Sequence, residues 1–249
     1  MPLRHAMTAR QKPGADPVLV FLHGLLESPA LWAPLTRAAG ESGWNWIAPP
    51  LPGHRADADR LPEAAALLAD DAALADALAD RIAARAAGRP VRLIGHSLGG
   101  HLALRIAAAR PEMVRDALIV APLHSGHLGQ RATLRKRLVT EAPLVGPLSA
   151  RVMLRVWLSD PPRFAAGLRS SIAPGEALAD LPLEMRRDLR AGCPDTIRAL
   201  AVWTRRQHAC DAVARVRAPV TSVICTRDPV VAARQQMAGL RLLPDSVAQ

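Results

Sequence analysis

Gly95-His96-Ser97-Leu98-Gly99 sets one hydroxyl between two glycines, directly after the apolar run Val91 to Ile94 and directly before a stretch of helical period that opens at Leu98. A serine so placed can act as a nucleophile, because a sharp strand-to-helix turn lifts its Oγ above a sheet. The first amides of the following helix favour negative charge there. Glycine is required on both sides because such a turn leaves no room for a Cβ against the neighbouring strand and helix. Attack on an acyl carbon also needs donors aimed at the oxyanion that develops. One is the backbone N–H of the next residue, Leu98; the second is expected from the loop after an earlier strand, where Phe21-Leu22-His23-Gly24-Leu25 offers the N–H of Leu25.

The elements that must position these groups follow from hydrophobic period. Short apolar runs alternate with long alanine- and leucine-rich stretches, the pattern of a mostly parallel central sheet with helices on both faces. Buried strands are expected at Val18 to Leu22, Trp44 to Ala48, Val91 to Ile94, Ala117 to Leu123 and Val220 to Cys225. Helices are expected over Pro29 to Ala39, over Pro62 to Ala87 as one long segment, from Leu98 to Arg110, and from about Val231 to Leu240. Pro49-Pro50-Leu51-Pro52-Gly53-His54 must end the second strand, since proline cannot donate to a ladder.

Between His124 and Asp211 the period changes to helical pieces broken by Pro143, Pro147, Pro161, Pro162, Pro174 and Pro182. That is too long for a simple crossover. The expected organisation is a core of residues 1–123 and 212–249 with a helical lid insertion over 124–211. Trp157 and Trp203 of that insertion, with Leu158 and Phe164, are candidates for contact with a substrate above Ser97. His23 and His96, which flank the oxyanion turn and the serine, are candidates for the same role.

Composition excludes several classes. The chain of 249 residues is half hydrophobic and long enough for a sizeable core. Its formal charge of +10 raises the question of nucleic acid, but arginine is spread along an alanine-rich chain with only Lys12 and Lys136 as lysines. The basic clusters, Arg131 with Arg135 to Arg137 and Arg186 with Arg187 and Arg190, carry no interleaved aromatic residues for base stacking. No nucleic-acid partner and no membrane partner is expected, and the location expected is cytoplasmic. Cys193, Cys210 and Cys225 form no metal-ligand or disulfide pattern, so neither metal nor cofactor is expected.

On His23-Gly24, Leu51-Pro52-Gly53-His54, Gly95-His96-Ser97-Leu98-Gly99-Gly100 and Thr226-Arg227-Asp228-Pro229, in that order, the chain resembles the α/β-hydrolase superfamily, in its branch of lid-bearing, esterase-like enzymes. Pro50 stands where that family usually has an aspartate, a difference expected to affect loop packing. The resemblance implies that Asp228 is the acid of a catalytic triad. It follows a buried strand at the end of the sheet where ligands bind, and would hold an imidazole in its working tautomer. It also implies hydrolysis of an ester, thioester or amide of a small acyl substrate through an acyl-enzyme.

The family order is serine, acid, histidine, and no histidine follows Asp228. A chain cut short before its last strand and helix is the simplest expectation, with His124 and His127 as candidates for a relocated base. Activity is then expected to be impaired, and Val220 to Cys225 to form an apolar edge that promotes self-association. Two other readings stay open: a non-hydrolytic lyase of the same fold that uses the serine as a base, and a silent binding domain.

Overall fold

The structure, a computed structural model, describes residues 16–55, 64–70, 72–123, 142, 145–173, 183–207 and 213–244. Five strands, β1 (Val18–Leu22), β2 (Trp46–Ile47), β3 (Val91–His96), β4 (Val114–Val120) and β5 (Val220–Val223), form one sheet in the order β2-β1-β3-β4-β5. Every pairing is parallel. Parallel strands need crossovers, and the crossovers are helices: α1 (Ala33–Glu41), α2 (Ala64–Leu67), α3 (Ala73–Ala86) and α4 (Leu98–Ala109). Among the described residues, four further helices, α5 (Val145–Trp157), α6 (Pro161–Arg169), α7 (Leu183–Ala191) and α8 (Pro194–Arg206), lie between β4 and β5, and α9 (Ala233–Leu240) follows β5. This is the doubly covered parallel sheet that the apolar runs imply.

The central strands are apolar on both faces because helices cover both. Val18, Val20 and Leu22 of β1 pack in one cluster with Leu93 of β3, Ile119 of β4, Leu78 and Ile82 of α3, and Leu102, Leu104 and Ile106 of α4. That cluster takes in Leu200 and Trp203 of α8, so the last helix of the insertion belongs to the main core. A second cluster holds the insertion together through Leu154, Leu158, Phe164, Met185, Leu189 and Ile197. Leu26, Ala30 and Leu31, which follow β1, pack against it.

Several elements differ from the sequence reading: β2 and β5 are shorter than expected, and Trp46 of β2 is exposed because β2 is an edge strand. The helix expected over Pro62 to Ala87 is described as two pieces, α2 and α3, and between them Asp70 Oδ1 accepts the Ala72 amide at 2.8 Å. A short polar side chain that bonds the backbone two residues on competes with the helix ladder. β4 begins three residues before the expected Ala117, because Arg115 and Asp116 sit at its opening end and Asp116 takes the Arg92 guanidinium of β3 at 3.0 Å. It also ends early, where Ala121 turns to a positive φ of 45°. Pro29–Trp32 forms a 3-10 turn ahead of α1, which runs through Gly40 rather than ending at it.

Candidate active site

All five strands run in one direction, so the segments after β1, β2, β3 and β5 gather at one end of the sheet. Ser97 follows β3 there, at the N-cap of α4, with φ 52° and ψ −115°. Few non-glycine residues adopt such a conformation, which costs about 1–3 kcal/mol and persists only where the surroundings enforce it. The surroundings are two glycines. A Cβ on Gly95 would stand 2.6 Å from the Gly100 amide nitrogen, and one on Gly99 would collide with the carbonyl of Leu22 on β1. The Ser97 amide donates to the Val120 carbonyl at 2.9 Å, and the Ser97 carbonyl accepts from His101 and Leu123. Its side chain makes no capping hydrogen bond, so the hydroxyl is not used to close the helix. Leu98 N–H, in the first turn of α4, has no partner within the helix.

The turn after β1 lies against this elbow: the point where a Cβ on Gly24 would stand is 3.2 Å from Ser97 Cβ. Two buried histidines fix that turn. His23 Nδ1 donates to the Gly24 carbonyl at 2.8 Å, and its Nε2 accepts the Leu51 amide at 3.0 Å. His54 Nδ1 donates to the Pro52 carbonyl at 2.9 Å, and its Nε2 accepts the Leu26 amide at 3.0 Å. Both rings are therefore neutral. Burial holds His23 well below the usual histidine value, with the neighbouring His54 and His96 acting the same way and the Gly24 carbonyl opposing. Burial likewise pushes His54 down to about 4, against the opposing Pro52 carbonyl and Glu27 charge. His23, a candidate for substrate contact, is thus committed to the backbone on both ring nitrogens.

His96 is not. Its Nδ1 lies 2.9 Å from Glu27 Oε1 and 3.1 Å from Glu27 Oε2, and its side chain is 32% exposed. Burial alone would push its imidazolium down, but the charge and hydrogen bond of Glu27, with Asp228 behind them, hold it above the ordinary histidine value. Glu27 Oε2 also accepts the Gly24 amide at 2.5 Å. Glu27 was not a candidate from sequence, and no spacing marks it. Its partner stands 69 residues on and becomes a neighbour only when β1 and β3 pair.

Asp228 follows β5 in an Asx turn. Its Oδ1 accepts the Val230 and Val231 amides at 2.7 and 3.0 Å, and its Oδ2 takes Gln236 Nε2 of α9 at 3.2 Å. Gln236 is fully buried and also joins Cys225, so the carboxylate is held between the end of β5 and α9. Its charge reaches His96 beside the serine.

The two tryptophans are engaged in packing. Trp157 Nε1 donates to the Phe164 carbonyl at 3.1 Å, inside the insertion's own cluster. Trp203 is buried in the main core with its ring edge-on to His101, centroids 6.1 Å apart. His124 and His127 lie outside the described residues. The helices between β4 and β5 are tied to the loops after β1 and β2: Ser28 Oγ donates to Asp188 of α7 at 2.8 Å, and the Cys193 amide donates to the Gly53 carbonyl at 2.8 Å. No helix among the described residues is long and apolar enough to cross a membrane.

A strained serine at a strand-to-helix turn, a glycine turn beside it and a carboxylate after a later strand are the parts of an α/β-hydrolase. The sequence model of the alpha/beta hydrolase family matches residues 19–248, and the chain belongs to that family. A search of curated proteins returned no match. Among solved structures the fold is similar to that of a membrane phospholipase A described as a bacterial virulence factor, at 22% identity and a TM-score of 0.66, over 94% of this chain and 70% of that one. It is also similar to a hydrolase from Pseudomonas aeruginosa PA01, at 16% identity and a TM-score of 0.65, over 96% of this chain and 82% of that one. An esterase from Thermogutta terrifontis matches at 16% identity and a TM-score of 0.63, over 95% of this chain and 80% of that one.

Proposed function

We propose that the protein is a serine hydrolase that cleaves an ester, thioester or amide of a small substrate through an acyl-enzyme on Ser97. The observation that carries the reading is the backbone of Ser97, held in a strained conformation by Gly95 and Gly99 while its side chain does no capping. Strain maintained around a polar group without a structural task is the mark of a functional residue. In this reading the N–H groups of Leu98 and Leu25 stabilise the oxyanion, Asp228 orients the catalytic imidazole, and α5 to α8 form a lid over the acyl site. Esterases among the proteins of similar fold favour an acyl substrate.

The test uses a neutral fluorophosphonate probe and a set of short p-nitrophenyl esters. The expected result is labelling of Ser97, absent in Ser97→Ala, and ester turnover that is slow, as the lack of a histidine after Asp228 implies, with an initial burst. Failure of the probe to label Ser97 in folded protein would overturn the reading.

A second reading, a domain that binds without turnover, is favoured by one observation. Of the histidines among the described residues, His23, His54 and His101 use both ring nitrogens in internal hydrogen bonds, and His96 is paired to Glu27. Absence of both labelling and turnover in folded protein would select it.

A further inference from the structure

The strongest feature that the proposed function leaves unused is the Glu27 carboxylate. It sits between three parts of the site. Its Oε2 lies 2.8 Å from the point where a Cβ on Gly24 would stand, and Ser97 Cβ lies 3.2 Å from that same point. It accepts the Gly24 amide, and both of its oxygens face His96 Nδ1. A side chain that only closed the turn after β1 would need one oxygen for one amide. Glu27 instead reaches across to β3 and bonds the residue next to the nucleophile.

We propose that Glu27 is a positioning residue for the chemistry at Ser97: its carboxylate ties the Gly24 amide to the His96 ring, and so sets both the shape of the oxyanion turn and the electrostatics beside the nucleophile. The inference rests on the serine-nucleophile reading. The physical argument has two parts. First, a carboxylate that accepts one backbone amide and one imidazolium proton makes two charge-assisted bonds, which are shorter and stronger than neutral ones. The turn carrying Leu25 is thereby fixed from the side that faces Ser97, while His23 and His54 fix it from behind. Second, the charges around the elbow alternate. Glu27 bonds His96 from the loop after β1, the Asp228 charge acts on His96 from the loop after β5, and neutral His23 follows the end of β1. When protonated, His96 compensates carboxylates that otherwise oppose an oxyanion at Ser97. Lose the cation and both carboxylates act against the negative charge that the reaction must build.

The experiment combines an NMR titration of the His96 ring with the rate of fluorophosphonate labelling of Ser97 as a function of pH, in the wild type, Glu27→Gln, His96→Asn and the double variant. Glutamine keeps the size of the side chain and an acceptor for the Gly24 amide but removes the charge. In Glu27→Gln the His96 midpoint is expected about one pH unit lower and labelling near neutral pH roughly tenfold slower. The pH at which the alkaline limb of labelling falls should shift with the His96 midpoint. In the His96→Asn background, Glu27→Gln should have little further effect on labelling, because the two residues act as one unit. Two results would overturn the proposal: a His96 midpoint unchanged in Glu27→Gln, or labelling slowed by the same factor at every pH, as a merely structural role would give. If Ser97 is labelled in no variant while the His96 midpoint does drop in Glu27→Gln, the ion pair stands, its role in Ser97 chemistry is overturned, and the hydrolase reading fails with it.

Discussion

His54 Nε2 accepts the amide of Leu26 at 3.0 Å, so a ring 28 residues downstream closes the turn that carries Gly24 and Leu25. An imidazolium has no lone pair to accept with, so this bond exists only while His54 is neutral. The folded state holds His54 at about 4 against 6.5 for an exposed ring, chiefly because it is buried. The unfolded chain therefore takes up a proton near 6.5 that the fold refuses until about 4. The His54 contribution is expected to be lost as pH drops through that window and to change no further below it. The loss from His54 is on the order of 3 kcal/mol by linkage, with His23 acting in the same direction. Urea unfolding at a series of pH values checks this. His54→Gln should be less stable near neutrality yet show a shallower acid slope, and a wild-type midpoint that ignores pH across the window would refute the account.

Gly99→Ala is expected to damage the elbow directly. Its Cβ would collide with the Leu22 carbonyl, and a backbone atom of a central strand cannot move aside as a flexible side chain could. Overpacking of this kind costs about 1–3 kcal/mol or more. The melting temperature should drop and Ser97 labelling should be lost. Gly40→Ala serves as the contrast, since Gly40 lies exposed within α1 with only the Trp46 ring nitrogen nearby, at 3.8 Å. There the better helix former should stabilise by about 0.5–1 kcal/mol.

These two glycines show what a sequence can disclose. The elbow was legible because its constraint is local: strand, turn and helix are contiguous, and each leaves its own period and glycine signature. The sheet was legible for the same reason, since a strand covered on both faces reads as an unbroken apolar run. Where polar residues sit at a strand end, as Arg115 and Asp116 do in β4, the run misplaces the boundary. A continuous helix over Pro62 to Ala87 failed because period does not register a side chain such as Asp70 competing for an amide. The Glu27 pairing was illegible for a deeper reason. It depends on the β1–β3 register, Leu22 beside Gly95, and no local pattern encodes which strands become neighbours. Trp203 meets the same limit: its place in the chain does not disclose that α8 packs it onto the main core.

Ser28 joins the core to the insertion. It is the N-cap of the turn at Pro29, where its oxygen accepts the Ala30 amide at 3.2 Å, and its hydroxyl donates to Asp188 of α7 at 2.8 Å. Ser28→Ala removes both bonds and leaves Asp188 with the more distant Arg55 guanidinium at 3.8 Å. The expected cost is about 1–2 kcal/mol. Because the second cluster packs on Leu26, Ala30 and Leu31, the loss should appear first as faster amide exchange in α7 rather than in β1 or β3. Uniform acceleration across the sheet would show that the insertion does not loosen separately.

Asp228→Asn separates the two roles that the carboxylate fills. Asparagine keeps an oxygen for the Val230 and Val231 amides, so the turn after β5 should survive, with a drop in melting temperature smaller than in Asp228→Ala because only the Gln236 Nε2 bond to the carboxylate is lost. What disappears is the negative charge that would orient and stabilise a catalytic imidazolium. If Asp228 serves Ser97, ester turnover should fall by about ten-thousand-fold while the fold persists, by analogy with the same change in other triads. Asp228→Ala is the companion variant: it strands the Val230 and Val231 amides and removes one of the bonds of Gln236 Nε2, which keeps the Val231 carbonyl, and should destabilise by about 1–3 kcal/mol. Turnover that survives in Asp228→Asn but drops in Asp228→Ala would make Asp228 a structural cap of the β5 turn and place the acid elsewhere. Loss in both, with the larger loss of stability in the alanine variant, ties the charge itself to the serine.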